Sequence, residues 1–271
     1  MTQVWCSLAA FFEYGIPSAM TPGLQRTTFN RSGLVRLLSE ITPEPVDPKY
    51  DFGERLGQWL DFADALALFS ALNADAAKTA APATGANASP LAAQLTRVRE
   101  TLSNSIQNDG VFSEGTARVR FPTPLPQATA KEAADFAPYH RYYLAHQRDM
   151  ASAISALRSN ARKALAARSP AHRQLAELDA NFDKILIVRE RNLLGNIPIL
   201  LARRFAQRYR EHQASLPADA QDDPALWTQP GSWLEAFCQD TQAMLLAELD
   251  LRLKPAAGLI AALGQEDNTT P

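Results

Sequence analysis

Cysteine and long apolar runs are both scarce in this sequence. Its 271 residues include two cysteines, Cys6 and Cys238, which are too few for a disulfide framework. The most apolar windows, such as residues 63–72, are too short to cross a bilayer. The apolar stretch at residues 5–12 has no Lys or Arg before it and is followed at once by Glu13, so it does not fit a secretion signal. We therefore predict a cytoplasmic protein without a membrane span.

Residue groupings that carry enzyme chemistry are missing as well. His140 and His146 are six residues apart, so they fall on different faces of a helix and lack the spacing of a helical metal pair. The two glycines within residues 53–57 are not followed by the lysine of a phosphate-binding loop. Asp61 and Asp64 lie one helical turn apart without a matching third ligand, which favours a solvated helix face. We predict no enzyme, no metal site and no cofactor.

Helical periodicity dominates what remains. The chain is 46% hydrophobic and 8% aromatic, and its alanine-rich segments place apolar residues at steps of three and four. This spacing is the repeat of an amphipathic helix. The longest such pattern fills residues 131–213. We therefore predict an all-α protein, a helical bundle built around a long antiparallel helical hairpin, with flexible loops.

The first arm of this hairpin has a continuous apolar stripe and a clear end. The stripe consists of Phe136, Tyr139, Tyr143, Met150, Ile154, Leu157, Ala161 and Ala164. Ser169 followed by Pro170 then marks a new helix start, because serine caps the free N–H groups of a first turn and proline is tolerated there. Helices joined so tightly must lie antiparallel.

The second arm repeats the stripe as far as Phe205 and Tyr209, but it contains an internal proline. Pro198 lacks an N–H group and its ring clashes with the carbonyl of Leu194, four residues earlier. This predicts a kink or a short break. Two interpretations stay open: the kink fits the arm to the core, which we favour, or it is a hinge that changes the angle of the basic end at residues 203–210.

The rest of the chain divides by composition. The predicted segments are a disordered or misassigned N-terminus at 1–25 with Met20 rather than Met1 as the true start, N-terminal helices at 26–73, a flexible linker at 74–89, a helix and loop at 90–130, an acidic connector at 214–231, C-terminal helices at 232–263 and a disordered tail at 264–271. Within the helix at 51–73 we expect Leu66, and either Leu68 or Phe69, to face inward. The last long helix is expected to end near Leu253, before a short apolar tail.

Charge is unevenly distributed. Residues 131–215 contain 15 Lys and Arg against 8 Asp and Glu, a net charge of +7, whereas the remainder has 12 against 21, a net charge of -9. Such asymmetry predicts either internal docking of acidic parts on the hairpin or an acidic partner.

One basic stretch is the candidate interaction surface. It comprises Arg189, Arg191, Arg203, Arg204, Phe205, Arg208, Tyr209 and Arg210. Arginines interleaved with aromatic rings are typical of phosphate binding with base stacking. Arginines near a helix C-terminus also meet the helix dipole favourably and pair with acids such as Glu211 and the acidic connector. We favour the second interpretation.

Several stretches resemble a known family. They are LVRLL at 34–38, FGERLGQWLDFADALAL at 52–68, ALN at 71–73, YHRYYLAHQ at 139–147, AARSP at 166–170 and RERNLL at 189–194. They are similar to an uncharacterised proteobacterial family of unknown function, the DUF family numbered thirty-three forty-eight. The resemblance covers about residues 26–250 and leaves out residues 1–19. No catalytic residues are established for that family, so none carries over.

The family context adds an expectation about partners. Such proteins tend to be encoded beside inner-membrane proton-channel-like motor components and proteins with an OmpA-like domain. The resemblance therefore implies a cytoplasmic accessory role in an envelope-spanning assembly. Together with the sequence patterns, it predicts a bacterial, non-enzymatic helical interaction or scaffold protein that binds a protein partner or a second copy of itself. The alternative is a nucleic-acid-binding protein that uses the basic aromatic end of the hairpin.

Overall fold

The computed structural model describes residues 33–41, 60–73, 88–113, 115–217 and 219–264. These ranges contain helices and no strand, which confirms the all-α prediction. In chain order the helices are α1 (Gly33–Ile41), α2 (Phe62–Asn73), α3 (Ala88–Gln107), the short α4 (Ala130–Ala133), α5 (Ala137–Arg168), α6 (Pro170–Leu194), α7 (Ile197–Ser215) and α8 (Trp233–Gly264), with a 3₁₀ helix at Pro224–Thr228 before α8. The predictions for residues 1–25, including the choice of start, for 74–87 and for 265–271 lie outside the described residues.

Helices α5 and α6 pack against each other and are joined by one residue, Ser169. Its hydroxyl accepts a hydrogen bond from the backbone N–H of His172 at 3.3 Å, and Pro170 occupies the first helical position, as the sequence predicted. Contacts between the helices run in opposite order: Arg173 near the start of α6 reaches the Ala166 carbonyl near the end of α5.

Four charged residues stabilise this helix pair further from the turn. Arg158 Nη2 lies 2.6 Å from Asp179 Oδ1, and Arg162 Nη2 lies 2.7 Å from Asp183 Oδ2. Each arginine also contacts the other aspartate. These four residues carry no net charge together, so the net charge of +7 comes from other residues of the segment 131–215.

Helix α8 is the central element, because it contacts α5, α3, α7 and α1. Contrary to the predicted end near Leu253, α8 continues through Pro255 to Gly264. A proline inside a helix costs roughly 3 kcal/mol. That cost is outweighed by apolar burial beyond it, since Ala256, Leu259 and Leu263 are each no more than 3% exposed.

An aromatic cluster fills the space where the first turns of α5 and α8 meet α7. Tyr139 and Phe205 have ring centroids 4.9 Å apart, and Phe205 and Phe237 are 5.0 Å apart. Phe121 from the loop before α4 and Trp233 from α8 complete the cluster. Through this cluster, the middle of α7 packs against the first turns of α5 and α8.

The loop between α3 and α4 is held in place by a buried carboxylate. Asp109 Oδ1 accepts hydrogen bonds from the N–H groups of Val111 at 2.7 Å and Phe112 at 2.6 Å, and Gln242 of α8 donates to Oδ2 at 3.0 Å. Although burial raises the pKa of Asp109, these backbone bonds lower it below its ordinary value. The helix ends before residue 108, as predicted, and the start of the loop that follows is held by the hydrogen bonds of Asp109.

Helix α2 packs against α6 with one face only. Leu68 and Ala71 are buried, whereas Leu66 and Phe69 are 56% and 65% exposed. The inward placement of Leu66 was therefore wrong, and of the two alternatives Leu68 is the buried residue. Residues 51–59 of the predicted helix lie outside the described ranges. Within those ranges, no helix combines the length and apolar character needed to cross a membrane.

Candidate interaction surface

The predicted second arm of the hairpin is divided into α6 and α7. Helix α6 ends at Leu194 and α7 begins at Ile197, so the break predicted from Pro198 is confirmed. Gly195 (φ -63°, ψ -17°) and Asn196 (φ -80°, ψ -17°) both keep right-handed helical dihedral angles. The chain therefore keeps winding through the break, and α6 and α7 form a bent rod rather than a hairpin of their own.

Glycine is required at the bend because the backbone passes close to it. A Cβ atom added at Gly195 would lie 2.9 Å from the Arg191 carbonyl oxygen. The Gly195 N–H donates to that same carbonyl at 2.9 Å, which closes the last turn of α6. The loss of regular hydrogen bonding is thus confined to one turn.

A buried polar network lies beside the bend, between α5, α6 and α8. Glu248 has no exposed surface, and its carboxylate accepts hydrogen bonds from Tyr143 Oη at 2.8 Å and Gln147 Nε2 at 3.0 Å. Arg252 Nε lies 2.7 Å from Glu248 Oε1, and Arg252 Nη1 lies 2.9 Å from Glu190 Oε1. Burial raises the pKa of Glu190, against the effect of Arg252.

Sequence reasoning missed this network. Tyr143 was assigned to the apolar stripe of the first arm, and Gln147 and Glu248 were given no role. The available signal was the i,i+4 spacing of Glu248 and Arg252 on a helix whose neighbouring positions are apolar. An acid and a base at that spacing on a buried face must find partners, since unpaired buried charges are costly.

The basic side chains of α7 divide between two faces. On the inner face, Arg204 Nε lies 2.7 Å and Arg208 Nε lies 3.0 Å from Oδ2 of Asp240 in α8. The hydrogen bond with Asp240 raises the pKa of Arg208 above its ordinary value. These two arginines therefore hold α7 on α8, as the internally paired interpretation expected, although their partner is Asp240 rather than the acidic connector.

The two aromatic residues of the candidate surface also face inward. Phe205 is 3% exposed within the aromatic cluster, so its assignment to a surface is corrected. Tyr209 is half-buried, with its ring centroid 5.4 Å from that of Trp227 and 5.3 Å from that of Trp233. The spacing from Leu201 to Phe205 on the apolar stripe was the signal for burial, and it outweighs the basic neighbours.

The acidic connector is fixed to the end of α7 through Asp222. Its Oδ1 atom accepts a hydrogen bond from Trp227 Nε1 at 2.8 Å and lies 2.9 Å from His212 Nε2. The connector, the end of α7 and the start of α8 surround a cleft of 520 Å³. Charged groups around the cleft are engaged within the chain: Glu211 accepts a hydrogen bond from Gln207.

A second face of the bent rod points to solvent. We call it the outer face, and it consists of Lys184, Ile187, Val188, Arg191, Ile199, Arg203 and Arg210, all of which are exposed. The members Ile187, Arg191, Ile199 and Arg203 fall on a repeat of four that continues through Gly195. Between residues 184 and 210 the one acid is Glu190, which is half-buried and paired with Arg252. The outer face is therefore cationic with aliphatic side chains between the charges.

The structure sorts the eight candidate residues accordingly. Arg191, Arg203 and Arg210 belong to the outer face, whereas Arg204, Phe205, Arg208 and Tyr209 face the bundle. Arg189 is half-buried beside the outer face. The sequence did not single out Ile187, Val188 and Ile199 as surface residues, because an apolar residue on a predicted amphipathic helix is first assigned to its buried stripe.

Comparison with known families supports the resemblance. A family model described as a protein of unknown function, DUF3348, matches residues 20–265. The chain belongs to this family. No curated protein and no solved structure matches it. Membership in DUF3348 assigns no role to any residue, so the chemistry of the site depends on the side chains themselves.

Among the residues that the structure describes, no group of three or more His, Cys, Asp or Glu side chains is placed to hold a metal ion. Cys238 is buried, and burial raises the pKa of its thiol, which disfavours the reactive thiolate. Burial lowers the pKa of His146 to about 4. The outer face is one exposed surface that could contact another molecule, and it is the one that combines aliphatic side chains with cations. Helix α2 exposes a second, apolar surface at Phe62, Leu66, Phe69 and Leu72.

Proposed function

We propose that this protein is a non-enzymatic helical interaction protein that docks a partner on the outer face of α6 and α7. The observation that carries the proposal is the exposure of three aliphatic side chains, Ile187 at 46%, Val188 at 58% and Ile199 at 54%, among cations. Apolar anchors with a charged rim are what helix-to-helix recognition requires. The cations favour a partner with acidic side chains around its own apolar contacts.

A role within an assembly is part of the same proposal. The family resemblance implies a cytoplasmic accessory of an envelope-spanning motor-like complex, and a rod of two helices that presents one continuous face suits such a scaffold. A second copy of this chain is the other protein partner considered. Light scattering on the purified protein distinguishes a monomer from a dimer.

Nucleic-acid binding is the second candidate function. It is supported by the cations of the outer face, which suit phosphate groups. Its aromatic component is weaker, because base stacking needs an accessible ring and Phe205 is packed in the core while Tyr209 contacts Trp227 and Trp233. What remains for this candidate is a sequence-independent contact with phosphates.

The main test compares two double charge reversals. Arg191→Glu with Arg203→Glu changes the outer face, and Arg141→Glu with Arg148→Glu makes the same change at exposed positions of α5. Cross-linking and affinity capture from a bacterial host that encodes the protein should recover a partner with the wild type and the α5 variant, and lose it with the outer-face variant. Recovery of the same partner by the outer-face variant, or a monomer without any partner, would refute the proposal.

A gel-shift titration with duplex and single-stranded DNA and RNA tests the second candidate. Phosphate contacts make affinity fall steeply with salt. Binding at low ionic strength that the outer-face variant abolishes would support it. Absence of binding at low ionic strength would exclude it.

A further inference from the structure

The carbonyl of Leu194 needs a hydrogen-bond partner from elsewhere in the fold. In a regular helix it would accept from the N–H of the residue four positions later, but that residue is Pro198, which has none. Gln147 of α5 supplies the missing donor, with Nε2 3.1 Å from the Leu194 oxygen. A side chain 47 residues earlier in the chain thus replaces the bond that the proline removes.

The same amide nitrogen is fixed from its other side. Gln147 Nε2 also lies 3.0 Å and 3.1 Å from the two oxygens of Glu248. Arg252 bonds that carboxylate at 2.7 Å and extends to Glu190 at 2.9 Å. The network therefore contacts α6 at two points four residues apart, Glu190 and Leu194, which span its last turn.

Two contact points on one turn restrict both the position and the tilt of the end of α6. Helix α7 is held on α8 separately, through Arg204, Arg208 and Asp240. A change in the bend that moves α6 must separate Gln147 from the Leu194 carbonyl or move Glu190 away from Arg252. Either movement leaves a polar group unpaired around Glu248, which has no exposed surface to admit water. One bend is therefore strongly preferred over others.

We infer that Gln147, Glu248 and Arg252 are positioning residues that form a latch across α5, α6 and α8 and hold the bend at Pro198 in one geometry. The bend is thus a fixed feature of the fold and not a free hinge. The latch fixes the end of α6, and the pairing of Arg204 and Arg208 with Asp240 fixes α7. The exposed residues before the bend, Ile187 and Arg191, therefore keep one position relative to Ile199 and Arg203 after it. This conclusion stands whether or not the outer face binds a partner.

Three variants isolate the latch. Gln147→Leu removes the donor to the Leu194 carbonyl. Tyr143→Phe is the matched control, because it removes a different hydrogen bond to the same Glu248 carboxylate and leaves the Leu194 carbonyl paired. Pro198→Ala restores an N–H that can bond the Leu194 carbonyl within the helix, so it should rescue Gln147→Leu.

Two measurements report the bend. Hydrogen exchange of the Ile199 and Leu200 amides, which both donate to the Asn196 carbonyl, follows opening at this turn. Electron-spin distances between nitroxides at Glu177→Cys on α6 and Ala206→Cys on α7, both exposed positions, follow the angle. Cys6 is replaced by Ser in this background, and Cys238 is buried and stays unlabelled.

Gln147→Leu is expected to speed exchange of these amides about tenfold, the consequence of one unpaired buried carbonyl, and to add a second distance to a narrow distribution. Tyr143→Phe should leave both readings as in the wild type. Gln147→Leu with Pro198→Ala should restore slow exchange and a single narrow distance distribution.

The inference is overturned if Gln147→Leu leaves exchange and distances unchanged, if Tyr143→Phe alters them equally, or if Pro198→Ala gives no rescue. Should Gln147→Leu alone fail to fold, the comparison moves to the Pro198→Ala background. There Gln147→Leu must fold and keep the single distance of the Pro198→Ala protein, and failure to do so overturns the inference as well.

Discussion

Arg204 Nε lies 2.7 Å from Oδ2 of Asp240. The same oxygen lies 3.0 Å from Nε of Arg208, so one aspartate of α8 pairs with two arginines on successive turns of α7. Arg204 and Arg208 are therefore paired inside the fold, whereas Arg203 and Arg210 of the same helix are exposed.

Asp240→Asn should destabilise the protein by about 1–2 kcal/mol, because two partly buried guanidinium groups then face each other without a carboxylate. Urea unfolding measures the change. Asp250→Asn is the matched control: its partner Arg99 is 51% exposed and Asp250 is 67% exposed, so the loss should stay below about 0.5 kcal/mol. Equal losses in the two variants would contradict the internal role of Asp240.

Phe205→Ala should cost about 3–5 kcal/mol, because it leaves a cavity among the rings of Tyr139, Phe237 and Trp233. Ile199→Ala, on the outer face of the same helix, should change the free energy of unfolding by less than about 0.5 kcal/mol. Denaturant unfolding of both variants is the measurement. A small effect at Phe205 would show that this ring is not part of the core.

Acid should destabilise the protein through His146, whose imidazole is 2% exposed. Burial lowers its pKa from 6.5 to about 4, so the unfolded chain binds this proton more tightly than the folded protein does. Stability attributable to His146 is therefore complete above pH 6.5 and falls by up to about 3 kcal/mol as the pH decreases to 4. Unfolding curves across this range should be less pH-dependent for His146→Phe; identical slopes would contradict the prediction.

Gly110→Ala should destabilise more than Gly231→Ala, although both glycines have left-handed backbone angles, φ +73° and +79°. The backbone strain of alanine is common to the two variants and costs about 1–2 kcal/mol. At Gly110 the new Cβ would also lie 2.8 Å from Ala117 Cβ, whereas nothing lies within 4 Å at Gly231. Melting temperatures of the two variants test the difference, and a larger loss at Gly231 would contradict it.

Helical periodicity and the residues typical of helix ends correctly predicted those elements that depend on neighbouring residues. The stripe through Tyr139, Met150 and Leu157 marks the buried face of α5, and Ser169 and Pro198 mark a helix start and a break. Each of these depends on residues within about a turn of each other, which is the distance over which periodicity and capping act.

The features that the sequence did not predict depend on contacts between residues far apart in the chain. Tyr143 and Glu248 are 105 residues apart, so no window of the chain contains their hydrogen bond. The continuation of α8 through Pro255 has the same origin, because burial against other helices outweighs a local penalty. The inward position of Phe205 could have been predicted from the sequence, because its place on the apolar stripe indicates burial although arginines lie beside it.

The one-residue connection at Ser169 has a consequence for how the chain folds. Closing so short a loop costs little chain entropy, so α5 and α6 pair through contacts at short separation in sequence. We therefore expect the partners of Glu248 and Arg252 on α5 and α6 to come together before α8 packs on them. A chain in which α8 has not yet packed would expose the apolar inner faces of α5, α6 and α7 to aggregation.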